Sequence, residues 1–222
     1  MSIYMLCLAN SYKCGGRCIA GIQLNKLQKG HFTIVRDPNT KGPKWVRPIS
    51  HHNDTGEIPN QEAWGIPVLS IIEITNPQPH PSTSHSEDIY YEKLICIDDP
   101  FVKPTMATLD LLIDTQHKLI FGNRGKAVTP ENFQLGDYSV MLVKAINAEI
   151  YLEEKYSKER VKFSHQETTY DFPITDPVFL NKIKSDPSLN KTYDVLYLVI
   201  SLGILHEGWH SKLVATIIEP IH

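Results

Sequence analysis

The sequence lacks any run of about 18 apolar residues, the length a membrane-spanning helix needs, so a transmembrane helix is excluded. Its opening, Met1 to Cys7, is too short and uncharged for a secretory leader, which leads us to expect a cytoplasmic protein. Cysteine is sparse. Thiols stay reduced in the cytosol, so Cys7, Cys14, Cys18 and Cys96 are expected to be free. Nucleotide-enzyme signatures are missing too. No G-x-x-x-x-G-K-[ST] loop, no glycine fingerprint after a strand and no G-x-S-x-G elbow occurs. Lys118 and Lys126 flank a glycine-rich turn, Gly122-Asn123-Arg124-Gly125, without phosphate-loop spacing.

Net charge is only −3 over 222 residues, which gives no global pull towards polyanions. The distribution is uneven. The first 50 residues hold Lys13, Arg17, Lys26, Lys29, Arg36, Lys41, Lys44 and Arg47 against one acid, Asp37, so the remainder is net acidic. Either these cations form a focused anion-binding face, or they are scattered, solvated and paired with the acidic stretch 54–92.

Strand signals dominate what is present. Short apolar or alternating runs at Ile3–Ala9, Cys18–Leu24, Phe32–Arg36, Lys44–Ile49 and Val68–Thr75 predict strands. So do Tyr138–Ile146, Ala148–Leu152, Arg160–Phe163, Thr168–Phe172, Tyr193–Leu202 and Leu213–Ile218. Thr105 can cap a helix over Met106–Gln116, and Asp176-Pro177 starts another that runs to about Lys184. No internal repeat is visible. Many short strands with Gly and Pro punctuation point to barrels or sandwiches. The length permits two small domains, with a boundary in 98–105 near Pro100 and Pro104: residues 1–100 and 101–222.

His206-Glu207-Gly208-Trp209-His210 matches H-E-x-x-H, a zinc-protease string that works only on a helix, with both histidines on one face. It lies between two strand patterns and reads as a hairpin loop. Cys14 and Cys18 share the three-residue spacing of His206 and His210, which raises a zinc site, but the pairs sit at opposite ends of the chain. His51, His52, Asp54 and Glu57 read as a polar loop, and Asp98-Asp99 beside Pro100 as a turn. No metal or cofactor is expected.

Two stretches suit binding. In Lys13–Arg17, glycine backbone beside two cations can hold a phosphate, or simply turn tightly. In Lys44-Trp45-Val46-Arg47, Trp45 and Arg47 share one strand face. They can stack a base and pair a phosphate, or form part of the core. Trp64 is a further stacking candidate or a lid over the core.

Several strings resemble the bacterial dual-OB domain family. They are Leu6-Cys7-Leu8-Ala9-Asn10-Ser11, Gly16-Arg17-Cys18-Ile19-Ala20-Gly21, Trp45-Val46-Arg47-Pro48-Ile49-Ser50, Ile174-Thr175-Asp176-Pro177, Ile200-Ser201-Leu202-Gly203 and the stretch Lys212–Ile218. The resemblance implies a mainly β chain of two small OB-like barrels packed together, with a few short helices. It also implies recognition of nucleic acid or a nucleotide in prokaryotic defence systems, with a protein partner from a defence operon. Arg17, Trp45, Arg47, Ser50, Thr175, Asp176 and Lys212 match its motif positions, and the stretch 54–119 matches poorly. The expected function is therefore a non-catalytic module for single-stranded nucleic acid or a nucleotide. Cationic Lys13, Arg17, Lys44 and Arg47 would hold phosphates while Trp45 and Trp64 stack bases. The alternatives are a nucleotide sensor or protein adaptor using a cleft between the barrels.

Overall fold

A computed structural model describes residues 2–52, 55–80, 85–97, 104–132 and 138–220. The chain is mainly β and divides into two compact units, Met1–Thr105 and Met106–His222. The expected boundary at residue 100, the Asp98-Asp99 turn and Asp54 lie outside the described residues. Among the described residues no helix is long and apolar enough to cross a membrane.

In the first unit, β1 (Ser2–Lys13) lies between β2 (Gly16–Lys26) and a later strand. A short β3 (Phe32–Ile34) pairs with the end of β2, and β4 (Trp45–Ile49) pairs with its middle. Helix α1 (Asn60–Ala63) follows, then β5 (Ile71–Thr75), which takes the other side of β1. The chain continues through β6 (Gln78–Pro79), β7 (Asp88–Tyr90) and β8 (Lys93–Ile97). β7 pairs in parallel with β4, and β8 antiparallel with β5. Only Tyr91 and Glu92 separate them, so one bent segment closes the barrel from both sides.

Helix α2 (Met106–Asp110) opens the second unit, much shorter than the reading to Gln116, with Leu109 and Leu112 buried. After β9 (Ala127–Val128) comes β10 (Val140–Glu153). It absorbs the two strands expected there. The break is a bulge, with Asn147 at φ 49 and a register shift between Ile146 and Glu149. β10 pairs with β11 (Lys158–His165), which pairs with β12 (Thr168–Pro173). Helix α3 (Pro177–Ser185) then leads to β13 (Thr192–His206) and β14 (Trp209–Ile218). β10 also pairs with β13, and β13 with β14. The end of β12 closes on β14 through a parallel bridge, Ile174 to Val214.

The two units share one plan: a hairpin, a third strand, a helix, a strand that returns beside the first, and a later strand that runs parallel to the third, with β3, β6 and β8 added in the first unit and β9 in the second. That is the OB-like barrel plan, repeated in structure without a visible repeat in sequence. Each barrel has its own core. Met5, Cys7, Ile19, Val46, Ile58, Ile72 and Ile74 fill the first. The second is larger and aromatic, with Phe163, Tyr170 and Phe172 packed ring against ring at 5.5–5.8 Å between centroids.

Candidate nucleic-acid interface

The hairpin between β1 and β2 turns through Cys14 (φ 46) and Gly15 (φ 85). Two successive left-handed residues suit the right-handed twist of the strands. This register sets Tyr12 opposite Arg17 and Lys13 opposite Gly16. The Arg17 guanidinium lies over the Tyr12 ring at 4.7 Å, within cation–π range. Its Nε donates to Asn60 Oδ1 (3.1 Å), and Asn60 Nδ2 donates back to the Gly15 carbonyl (2.9 Å). Arg17 and Ile58 also exchange backbone bonds of 2.9 and 2.8 Å. Gly16 makes that approach possible, because a Cβ there would sit 2.6 Å from the Ile58 oxygen.

The start of α1 is thereby tied to the hairpin. Its end is held by buried Asn10, whose Nδ2 donates to the carbonyls of Ala63 (3.0 Å) and Ile66 (2.9 Å). Between these anchors stands Trp64, 79% exposed. The hairpin thus carries exposed Tyr12 on Arg17 and half-buried Lys13, and the helix tied to it carries the second exposed aromatic ring, Trp64. Arg17 is 8% exposed, but among the described residues no carboxylate pairs with it and its terminal nitrogens have no partner. The acids nearby are occupied. Glu62 accepts from the Tyr91 hydroxyl (2.8 Å). A bond from the Thr55 hydroxyl, with a smaller contribution from Lys13, holds the Glu57 carboxyl below its ordinary range.

The other expected residues are placed differently. Trp45 is only 4% exposed, which rules out base stacking there. Arg47, buried on the same strand face, donates through Nε and one terminal nitrogen to Asp88 at 2.5 and 3.0 Å, with Glu87 at 3.9 Å. Burial works against its charge, but Glu87 and Asp88 outweigh that and hold its pKa above the ordinary value. It is a clasp between β4 and β7, not a phosphate ligand. Ser50 is buried and accepts from the His52 amide (3.2 Å). Lys44 is half-buried, and its carbonyl bonds Gln23. That is seven residues along β2 from Gly16, about 20 Å at strand rise.

The second-unit candidates are structural. Thr175 donates to the Val214 carbonyl (3.2 Å), and its amide does the same at 2.8 Å. Asp176 caps α3, as expected. One carboxylate oxygen accepts from Val178 and Phe179, the other from Ile217. Burial pushes its carboxyl pKa up against those three amides. Lys212 is fully buried, its ammonium on carbonyl oxygens of Ile120 (2.6 Å) and Asn123 (2.9 Å) and on Asn123 Oδ1 (2.8 Å). On the outer side of β11 and β12, Asp171 gathers Arg160 (2.8 Å), Lys126 (2.9 Å) and Tyr151 (3.1 Å). Those cations are already neutralised.

His206–His210 spans a two-residue turn, Glu207 and Gly208, with Leu205 opposite His210 and His206 opposite Trp209. Neighbours on a strand face opposite ways, so the two histidines lie on opposite faces and cannot chelate one ion as they would on a helix. Among the described residues no group of three His, Cys, Asp or Glu is placed to hold a metal.

The sequence did not lead to Tyr12, Asn60 or Asn10. Tyr12 needed the exact turn position, since one residue's slip faces it away from Arg17. The asparagines act across about 45–55 residues, which no local pattern reveals.

A solved structure described as a murine DNA-binding protein bound to double-stranded DNA covers 99% of this chain and 98% of its own, at 7% identity and a TM-score of 0.38. That likeness is too loose to carry an argument. No curated protein matches. The family model described as the dual OB-containing domain matches residues 3–217. With both barrels built on the strand order of that name, the chain belongs to the dual OB-containing domain family.

Proposed function

We propose that this chain is a non-catalytic module that binds single-stranded nucleic acid at the hairpin end of its first barrel. The observation that carries the reading is Arg17 lying on Tyr12, with exposed Trp64 one helical turn after Asn60, the residue that holds the guanidinium, and no carboxylate on that guanidinium among the described residues. OB barrels bind oligonucleotides with the loops that border the sheet, the first hairpin loop among them. Aromatic rings accept any base by stacking, and cations hold the backbone. Trp64 and Tyr12 are the stacking groups, and Arg17 and Lys13 the phosphate groups. Asp176 gives the nucleotide-sensor alternative no support, because both its carboxylate oxygens are taken by backbone amides.

The test is a titration of labelled single-stranded DNA and RNA at two salt concentrations with the wild type, Trp64→Ala and Tyr12→Ala. Stacking is worth about 1–3 kcal/mol per base, so each variant should lose roughly 5- to 150-fold in affinity. Absence of binding to both polymers at low salt would sink the reading.

A further inference from the structure

The buried Lys212 organises a loop that the first-barrel site does not use. Its ammonium takes three acceptors from a single short stretch, the carbonyls of Ile120 and Asn123 and the Asn123 side chain. The rings of Tyr170 and Phe172 flank it at 5.8 and 5.9 Å. The segment bends to meet it through Phe121 (φ 47) and Gly122 (φ 75).

This arrangement turns the loop inside out. In a trans peptide the carbonyl and the following amide point opposite ways, and no peptide bond here is cis. The Asn123 carbonyl faces the ammonium, so the Arg124 amide faces away from it. Among the described residues no acceptor meets that amide. The side chains follow the same sense, for Lys118, Arg124 and Lys126 are all exposed. Lys126 is engaged by Asp171. Neither Lys118 nor Arg124 has an ion pair among the described residues, and no acid occurs between Asp114 and Glu131. The loop is also fixed at its far end, where Asn123 Oδ1 accepts from the Gly125 amide (2.7 Å), Asn123 Nδ2 donates to the Ala127 carbonyl (3.0 Å), and the Lys126 carbonyl accepts from the Lys212 amide (2.9 Å).

Outward amide, outward cations and inward carbonyls are what an anionic backbone needs, presented without an ordering cost at binding. We infer that the 118–126 loop of the second barrel is a phosphate-binding surface for single-stranded nucleic acid in its own right. Lys118 and Arg124 make the contacts, and Lys212 is the positioning residue. The inference rests on the nucleic-acid reading but not on the residues that carry it.

The experiment is the salt dependence of single-stranded oligonucleotide binding to the full chain, for the wild type, Lys118→Ala/Arg124→Ala and Tyr12→Ala/Trp64→Ala. Both surface substitutions in the loop leave the barrel core untouched, and thermal melting checks that the variant is folded. Each phosphate contact contributes about 0.7 to the slope of log affinity against log salt for a single strand. The loop variant should therefore lose about 1.4 from the slope, with weaker binding at low salt. An unchanged slope and affinity in the loop variant, while Tyr12→Ala/Trp64→Ala abolishes binding, overturns the inference and leaves the first-barrel reading standing. The opposite pattern supports the loop and removes the first-barrel site. No binding by the wild type at low salt defeats both.

Discussion

Single residues explain why fewer cations are available to a ligand than the sequence pattern suggests. Arg47 and Lys212 both match motif positions, and both are consumed by the protein's own groups. Removing one partner of a buried pair leaves an uncompensated charge, which costs about 3–5 kcal/mol. Arg47→Ala, which takes the guanidinium from both Glu87 and Asp88, should therefore lower stability by about that amount in a denaturant titration, and Arg47→Lys should recover only part of it, since an ammonium cannot make the two-pronged contact. Lys212 gives a pH signature. Burial pulls its pKa down to about 8 from an ordinary 10.5. Between those values the unfolded chain binds more protons than the folded one, so stability attributable to this group rises with pH. The melting temperature of the wild type minus that of Lys212→Met should grow from pH 8 to pH 10. A difference that shrinks over that interval contradicts the assignment. Sequence alone separates none of these roles, because a buried lysine and an exposed one look alike in a string. Their fate depends on carbonyls and carboxylates 41 to 92 positions away.

At the scale of elements, what was legible was whatever local pattern dictates. The Asp176-Pro177 start of α3, the β11–β12 hairpin and the two final strands follow from capping and alternation. What escaped was set by distant partners. Helix α2 stops after five residues despite periodicity that suggested more. The stretch expected as a loop between β13 and β14 narrows to two residues, because pairing with β14 extends β13 through Gly203–His206. Four-residue α1 has no propensity signal and exists because its ends are tied to the hairpin and to Asn10. Asn60→Ala should loosen that tie. Oligonucleotide affinity is expected to fall several-fold, with a stability loss of only about 1 kcal/mol for the bonds removed. An equal loss of binding and global stability would show that Asn60 serves the fold alone.

For the whole molecule, duplication of one plan with different contents is the main architectural result. The residues that resemble the family mostly mark closure points: Gly16 and Arg17 against Ile58, Arg47 against β7, Thr175 and Lys212 around β14. That is why the string of motifs carried the fold. The three tryptophans divide conveniently for a global measurement. Trp45 is sealed, whereas Trp64 and Trp209 are 79% and 51% exposed. Single-stranded oligonucleotide should quench the fluorescence of a Trp209→Phe variant nearly as much as that of the wild type. It should barely affect a Trp64→Phe variant. Quenching that survives in Trp64→Phe and vanishes in Trp209→Phe moves the stacking site to the second barrel.

The bent segment Asp88–Ile97 has a consequence for biosynthesis. Arg47 leaves the ribosome 41 residues before its carboxylate partner Asp88. Until then the open edge of β4 and an unmatched guanidinium are available to any nascent neighbour. The first barrel therefore cannot close before Asp88 and the strand that carries it have been made.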